Sequence, residues 1–172
     1  MRTARDLAEA VGSPSLSESV IENIEAGRKP DLPVSQLLNI AYALGVPPVY
    51  LLVPIERLGQ PLDLPNLSPP LAGMDPLEFD AWVTGSSTGA FRPPTAAEQA
   101  SRAELDALRE LDAARRESNR LQASLEIVAD GSARGELPVP GQEWAPTRLR
   151  LEQLDAQIQQ LEGYLRSAGW EL

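Results

Sequence analysis

Cysteine and histidine are both absent from this chain of 172 residues. Their absence excludes disulfide bonds, thiol nucleophiles, imidazole acid–base catalysis and every zinc site built on cysteine or histidine. The sequence also lacks a glycine-rich phosphate loop, a cluster of metal ligands and a catalytic triad. We therefore expect no catalytic residue, no metal and no cofactor, and we expect that the protein is not an enzyme.

Long apolar runs are missing as well. No stretch approaches the roughly 18 consecutive apolar residues of a membrane span, and no apolar segment follows Met1. These absences predict a cytoplasmic protein with no membrane partner. Aromatic residues make up 5% of the chain, so a core must be built mainly from leucine, isoleucine, valine and alanine.

Positive charge is scarce, and Lys29 is the one lysine. The formal net charge of −10 disfavours nucleic-acid binding, because phosphate contacts supply most non-specific affinity. Residues 1–60 carry five cationic and seven anionic side chains, a net charge of −2, and the remainder carries −8. The N-terminal part is therefore less acidic than the rest, although it is not basic.

Apolar periodicity and breaker residues divide the chain into three regions and predict an all-α fold. Residues 1–58 have the pattern of a small domain of short helices. Residues 59–94 are rich in proline and glycine, which is typical of a linker, with a short extended piece near 79–83. Residues 95–172 return to a strong helical pattern and predict a two-helix coiled-coil region.

In the N-terminal region, capping residues and glycines mark the helix ends. Thr3 is the expected N-cap of a helix that reaches Val11, and Gly27 is expected to end a second helix that starts at Ser17. Pro33 or Val34 opens a third helix, which runs to Leu44. A short apolar helical turn follows at residues 47–53.

In the C-terminal region, Thr95 and Glu98 form a capping box, a break is expected at Asp130-Gly131, and Thr147 is the expected cap of the last helix. That helix carries apolar residues at alternating spacings of three and four: Leu151, Leu154, Ile158, Leu161 and Leu165. This stripe indicates either an antiparallel hairpin within one chain or a seam between two chains.

The segment at 3–52, TARDLAEAVGSPSLSESVIENIEAGRKPDLPVSQLLNIAYALGVPPVYLL, is the most informative part of the sequence. Ala8 is small where two helices would cross closely, Gly12 opens the turn, and three apolar residues lie inward on the second helix: Leu16, Ile21 and Ile24. With the IEAGR end of that helix, this pattern resembles the Cro/lambda-repressor-like helix-turn-helix family, also called the xenobiotic-response-element family. The resemblance covers about 50 residues of the chain.

The segment departs from that family in two ways. Residues 13–15 lengthen the usual tight turn, and the family's first helix has no counterpart before the motif. Either translation starts upstream of Met1, which is the reading we favour, or another element covers the core that this helix normally protects. The residues left to cover are Leu38, Ala41, Leu51 and Leu52.

The resemblance implies a sequence-specific transcriptional regulator, a repressor of the phage or prophage type, whose partner is double-stranded DNA. Helix 17–26 would enter the major groove and present base-contacting residues: Ser17, Glu18, Ser19, Glu22 and Asn23. Asn23 would recognise adenine, and a glutamate would accept from the cytosine amino group. Cations nearby would contact phosphates: Arg2, Arg5, Arg28 and Lys29. A homodimer through the C-terminal helices would match the two-fold symmetry of operators.

Two other interpretations stay open. The first is an adaptor or antirepressor, in which an acidic, degenerate helix-turn-helix no longer binds DNA and the coiled coil binds a protein partner. The second is a helical bundle with no nucleic-acid role. The acidic balance of the chain supports both.

Overall fold

The structure is a computed structural model that describes residues 3–53, 57–135, 141 and 144–172. The chain divides into two compact units, Met1–Val83 and Thr84–Leu172. Within the described residues there is no strand, and the helices are α1 Ala4–Val11, α2 Glu18–Glu25, α3 Val34–Leu44, a 3₁₀ helix Pro48–Leu51, α4 Pro69–Ala72, α5 Pro76–Thr84, α6 Ala96–Ala133 and α7 Ala145–Ser167. The prediction of an all-α protein is confirmed for these residues.

Helix α1 begins and ends at the residues that the sequence marks. The Thr3 hydroxyl accepts from the Asp6 amide at 3.1 Å, and the Asp6 carboxylate accepts from the Thr3 amide at 2.9 Å. These two bonds satisfy N–H groups that a helix leaves without internal partners. Gly12 ends the helix with φ at +62°, a conformation that glycine adopts without steric cost.

Helix α2 ends in a two-bond turn built around Gly27. The Gly27 amide donates to the Ile24 carbonyl at 3.0 Å, and the Arg28 amide donates to the Asn23 carbonyl at 2.9 Å. This pattern requires a residue in the left-handed backbone conformation, and Gly27 adopts it with φ at +65°. The predicted helix end is confirmed, and the turn brings Arg28 back beside Asn23.

The first three helices share one core. Leu7 of α1, Ile21 of α2 and Ile40 of α3 are buried together with Leu16, which precedes α2 and has no exposed surface. Full burial of each such side chain contributes about 1.5–3 kcal/mol. The cluster therefore holds the apolar side of α2 against α1 and α3.

A second cluster in the same unit is built from the proline-rich stretch. Val53, Leu62 and Phe79 are buried there, and Leu52 packs against them. This cluster covers Leu52, one of the four residues for which the sequence led us to expect cover from another element. Ala41 is also buried, whereas Leu38 and Leu51 stay 48% and 39% exposed.

The prediction of a short extended piece near residues 79–83 is wrong, because these residues lie in α5. The Asp75 carboxylate accepts from the amides of Leu77 and Glu78, both at 2.8 Å, and the Asp75 amide donates to Glu78 at 3.2 Å. Pro76 fits the first turn, where its missing N–H is not needed. The capping box Asp75-x-x-Glu78 is the sequence signal for this helix.

In the second unit, α6 and α7 run antiparallel against each other. Leu111 of α6 and Leu154 and Leu165 of α7 are almost completely buried. The Trp170 indole donates to Glu104 at 3.0 Å, while Arg150, near the other end of the pair, donates to Glu117 at 2.8 and 3.0 Å. The residue numbers of the contacting pairs rise along α6 as they fall along α7, so the two helices run antiparallel.

Charged pairs line the edges of this helix pair. The Arg115 guanidinium, 2.6 Å from Glu162, and then Arg166 at 2.7 Å hold the pKa of the Glu162 carboxyl below its ordinary value of 4.5. Hydrogen bonds from Arg150 lower the pKa of Glu117 in the same way. These carboxyls favour the folded state only while they are ionised.

Two helix ends in this unit differ from the prediction. The break expected at Asp130-Gly131 does not occur, because α6 continues to Ala133 and buries Gly131. A glycine costs a helix interior only about 1 kcal/mol, which packing offsets. Thr147 is not the cap of α7, which begins at Ala145 and holds Pro146 in its first turn. The Thr95 cap is confirmed by its bond from the Glu98 amide at 3.2 Å.

The segment before α6 is bound to α6 along its length. The Ser87 amide donates to Asp106 at 3.3 Å, and the Arg102 guanidinium lies 4.7 Å from the centre of the Phe91 ring. Gly85 has φ at +66°, and a Cβ atom there would lie 2.7 Å from a methyl carbon of Leu105. The backbone conformation therefore favours glycine at this position, and a larger residue would also require the Leu105 methyl group to shift.

Candidate nucleic-acid interface

The predicted recognition helix presents a polar face that the rest of its unit leaves uncovered. Ser17, Glu18, Ser19 and Glu22 are exposed, whereas Ile21 on the opposite side is 2% exposed. The hydroxyls of Ser17 and Ser19 lie 3.0 Å apart at the start of the helix. Four of the five predicted base-contacting residues are therefore open to a partner on one side of α2.

The fifth residue, Asn23, is half-buried and is engaged by another predicted DNA contact. The Arg28 Nε donates to the Asn23 Oδ1 at 2.7 Å. Backbone bonds from the amides of Arg28 and Lys29 to the Asn23 carbonyl hold this turn in place. The structure thus brings together two residues that sequence analysis assigned to different roles, one to a base and one to a phosphate.

The Lys29 side chain is hydrogen-bonded within the first unit. Its ammonium donates to the Gln36 Oε1, and the Gln36 Nε2 donates to the Ser15 carbonyl at 2.7 Å. Gln36 is 7% exposed, so its amide needs both partners. This relay joins α3, the loop after α2 and the turn before α2, and it was missed from sequence. Its signal in the sequence is a polar residue one turn before Ile40, on the side of α3 that carries the buried residues.

The remaining predicted phosphate contacts lie before α2. The Arg5 side chain on α1 is 71% exposed and lies 3.0 Å from Glu9. An exposed pair of this kind contributes at most about 1 kcal/mol, so Arg5 can exchange Glu9 for another anion at little cost. Arg2 lies outside the described residues.

A concave surface of about 330 Å³ adjoins the end of α2. Asn23, Arg28 and Lys29 supply its polar wall, while Val20 and Pro30 supply its apolar wall. Three side chains that carry hydrogen-bond donors therefore line an open recess beside the exposed face of α2.

The charge of this surface is mixed. Glu18 and Glu22 lie on the exposed face of α2, and Arg28 lies at its end. Carboxylates close to phosphate repel it, so this surface binds a polyanion less tightly than a basic one does. Net charge alone therefore gives this surface little attraction for a polyanion.

Within the residues that the structure describes, no three potential metal-ligating side chains come together. Among the same residues, no helix has the length and apolar character needed to cross a membrane. Comparisons of this chain with protein-family models, with curated proteins and with solved structures found no match.

Proposed function

We propose that the first unit is a helix-turn-helix module and that the protein is a sequence-specific DNA-binding regulator, a repressor of the phage or prophage type. One observation carries this proposal: the α1–α3 core holds α2 by Ile21 and leaves the polar face around Ser19 and Glu22 exposed. The major groove of B-DNA admits an α-helix, and polar side chains recognise its base edges. Binding would repress transcription by blocking access of the polymerase to a promoter.

The charges predict weak binding by a single module. Arg5 and Arg28 provide positive charge near α2, and Glu18 and Glu22 oppose it. Two linked modules on a two-fold symmetric site raise the overall affinity without any new contact in either module. A dimer is therefore part of the proposal.

We place the dimer contact on the outer faces of the C-terminal helices. The stripe that includes Leu154 and Leu165 is covered by α6 of the same chain, so it is not free to pair with a second chain. Large apolar side chains remain exposed elsewhere on these helices: Ile127, Leu149 and Tyr164. Sedimentation equilibrium of the full chain measures the association, and a mass of one chain across micromolar concentrations contradicts the dimer.

The first test is titration of the full chain against duplex DNA from immediately upstream of its own gene. Fluorescence anisotropy is measured at two salt concentrations beside a scrambled duplex of equal length. We expect saturable binding that exceeds the scrambled control and weakens with salt. Absence of binding at low salt rejects the proposal.

Arg5→Ala gives a matched variant for this titration. We expect weaker binding to every duplex and a salt slope reduced by about one, because one phosphate contact is lost. The control is Arg116→Ala, which removes the same charge from α6, where Arg116 is 72% exposed and pairs with Asp112. Equal effects of both variants would show that charge alone, and not the α1–α2 surface, controls binding.

A protein-interaction role is the second candidate, and α3 favours it. Val34, Leu38 and Tyr42 follow one another at four-residue intervals and are 70%, 48% and 91% exposed. The helix carries no charged residue. An exposed apolar stripe without charge is typical of a surface that contacts another protein. If the DNA titration fails, this adaptor interpretation becomes the leading one.

A further inference from the structure

The hydrogen bond between Asn23 and Arg28 changes what this pair can recognise. Asparagine recognises adenine by accepting from the amino group N6 with its oxygen and donating to N7 with its nitrogen. Here the oxygen already accepts from Arg28 Nε at 2.7 Å. Because Arg28 has only donors, the Asn23 group that faces it must be the oxygen, which fixes the orientation of the amide.

The nitrogen atoms of the Asn23 and Arg28 side chains that do not take part in this bond are all hydrogen-bond donors. Asn23 Nδ2 and the two terminal nitrogens of Arg28 have no acceptor within the described part of the chain. The second lone pair of the Asn23 oxygen lies beside a guanidinium cation, and an approaching amino group would meet that positive charge. The pair therefore favours a partner that presents acceptors.

We propose that Asn23 and Arg28 act as one donor-only unit that recognises guanine through its N7 and O6 atoms. Among the four bases, guanine is the one that presents two adjacent acceptors in the major groove. Adenine places an amino donor beside N7 and is disfavoured. This inference rests on the proposed DNA-binding function, and it moves Arg28 from a phosphate contact to a base contact.

The position of the pair supports a base contact. Ser19 and Asn23 are separated by four residues on α2 and share one helix face. Because Asn23 binds Arg28, the guanidinium is held at this face and does not extend freely into solvent. Val20 and Pro30 line the open recess next to the pair, which leaves room for a base edge to approach its donors.

The decisive measurement uses the unmodified protein. A random duplex library is first selected for binding, and the preferred site is then synthesised with 7-deazaguanine in place of each guanine in turn. We expect one guanine per half-site at which the loss of N7 weakens binding by about 2- to 10-fold, because one of the two hydrogen bonds of the bidentate contact is lost. A selected site that contains adenine at the contacted position, or no guanine sensitive to this change, overturns the inference.

Variants then assign that guanine to the pair. Asn23→Ala and Arg28→Ala should each remove the preference at the same base pair, and the double variant should lose no more than either single one. Arg5→Ala should lower affinity without changing any base preference. A uniform loss across all sequences for Arg28→Ala identifies a phosphate contact and refutes the inference, while DNA binding itself stands. Failure of the unmodified protein to bind any duplex rejects the DNA-binding proposal as well.

Discussion

Gln36 offers the sharpest test of how the candidate surface is held in place. Its side chain accepts from the Lys29 ammonium and donates to the Ser15 carbonyl at 2.7 Å, and it is 7% exposed. A hydrogen bond to a charged group contributes about 1.5–3 kcal/mol, and a neutral one about 0.5–1.5 kcal/mol. Lys29 is only half-buried and regains water when its partner is removed. We therefore expect Gln36→Met to lower the unfolding free energy of the first unit by about 2–3 kcal/mol.

Methionine is used because it keeps the length of glutamine and leaves no large cavity, so the loss reports the polar contacts. Native-state amide hydrogen exchange at residues of α1 and α3 measures the stability of this unit separately from the second. The control is Asn39→Ala on the exposed side of α3, for which we expect a change within about 0.5 kcal/mol. A loss below about 0.5 kcal/mol for Gln36→Met would refute the idea that this relay stabilises the unit.

Three further predictions concern the second unit. Glu162→Gln should lower the urea midpoint at pH 7, and the difference from the unmodified chain should shrink as the pH falls below about 4.5, because the lowered pKa stabilises the fold only while the carboxylate is ionised. Glu152→Gln, an exposed change on the same helix, is the control at pH 7, with an expected change within about 0.5 kcal/mol. Leu165→Ala should cost about 2–5 kcal/mol by urea unfolding, because the side chain is fully buried, and a loss below about 1 kcal/mol contradicts the packing. Gly85→Ala should destabilise the unit mainly through its positive φ, and an unchanged thermal midpoint contradicts it.

Local signals in the sequence were sufficient for most helix ends. Thr3 and Thr95 cap their helices, and Gly27 ends α2, as expected. Each of these depends on a side chain or a backbone conformation within a few residues of the helix end, so short-range chemistry determines it. The capping box at Asp75 and Glu78 was equally local, but the high proline content of its surroundings concealed it.

The candidate site also has a part that the sequence predicted and a part that it did not. The resemblance to the helix-turn-helix family implied that Ser19 and Glu22 face outward on α2, and both residues are exposed in the structure. The hydrogen-bond partners of the two cationic residues after the helix could not be predicted from the sequence. Arg28 and Lys29 are ordinary loop cations in the sequence, yet one binds Asn23 and the other binds Gln36.

Sequence by itself determined the helical class of this protein, the apolar faces of its helices and most of their ends. Only the tertiary structure decided that Gln36 reaches back to Ser15, that the leucine stripe of α7 is covered by α6, and that the proline-rich stretch builds a core around Phe79. Periodicity and capping are set by neighbours along the chain. Contacts between residues that are 20 to 50 positions apart depend on how whole helices pack, and no local pattern specifies that.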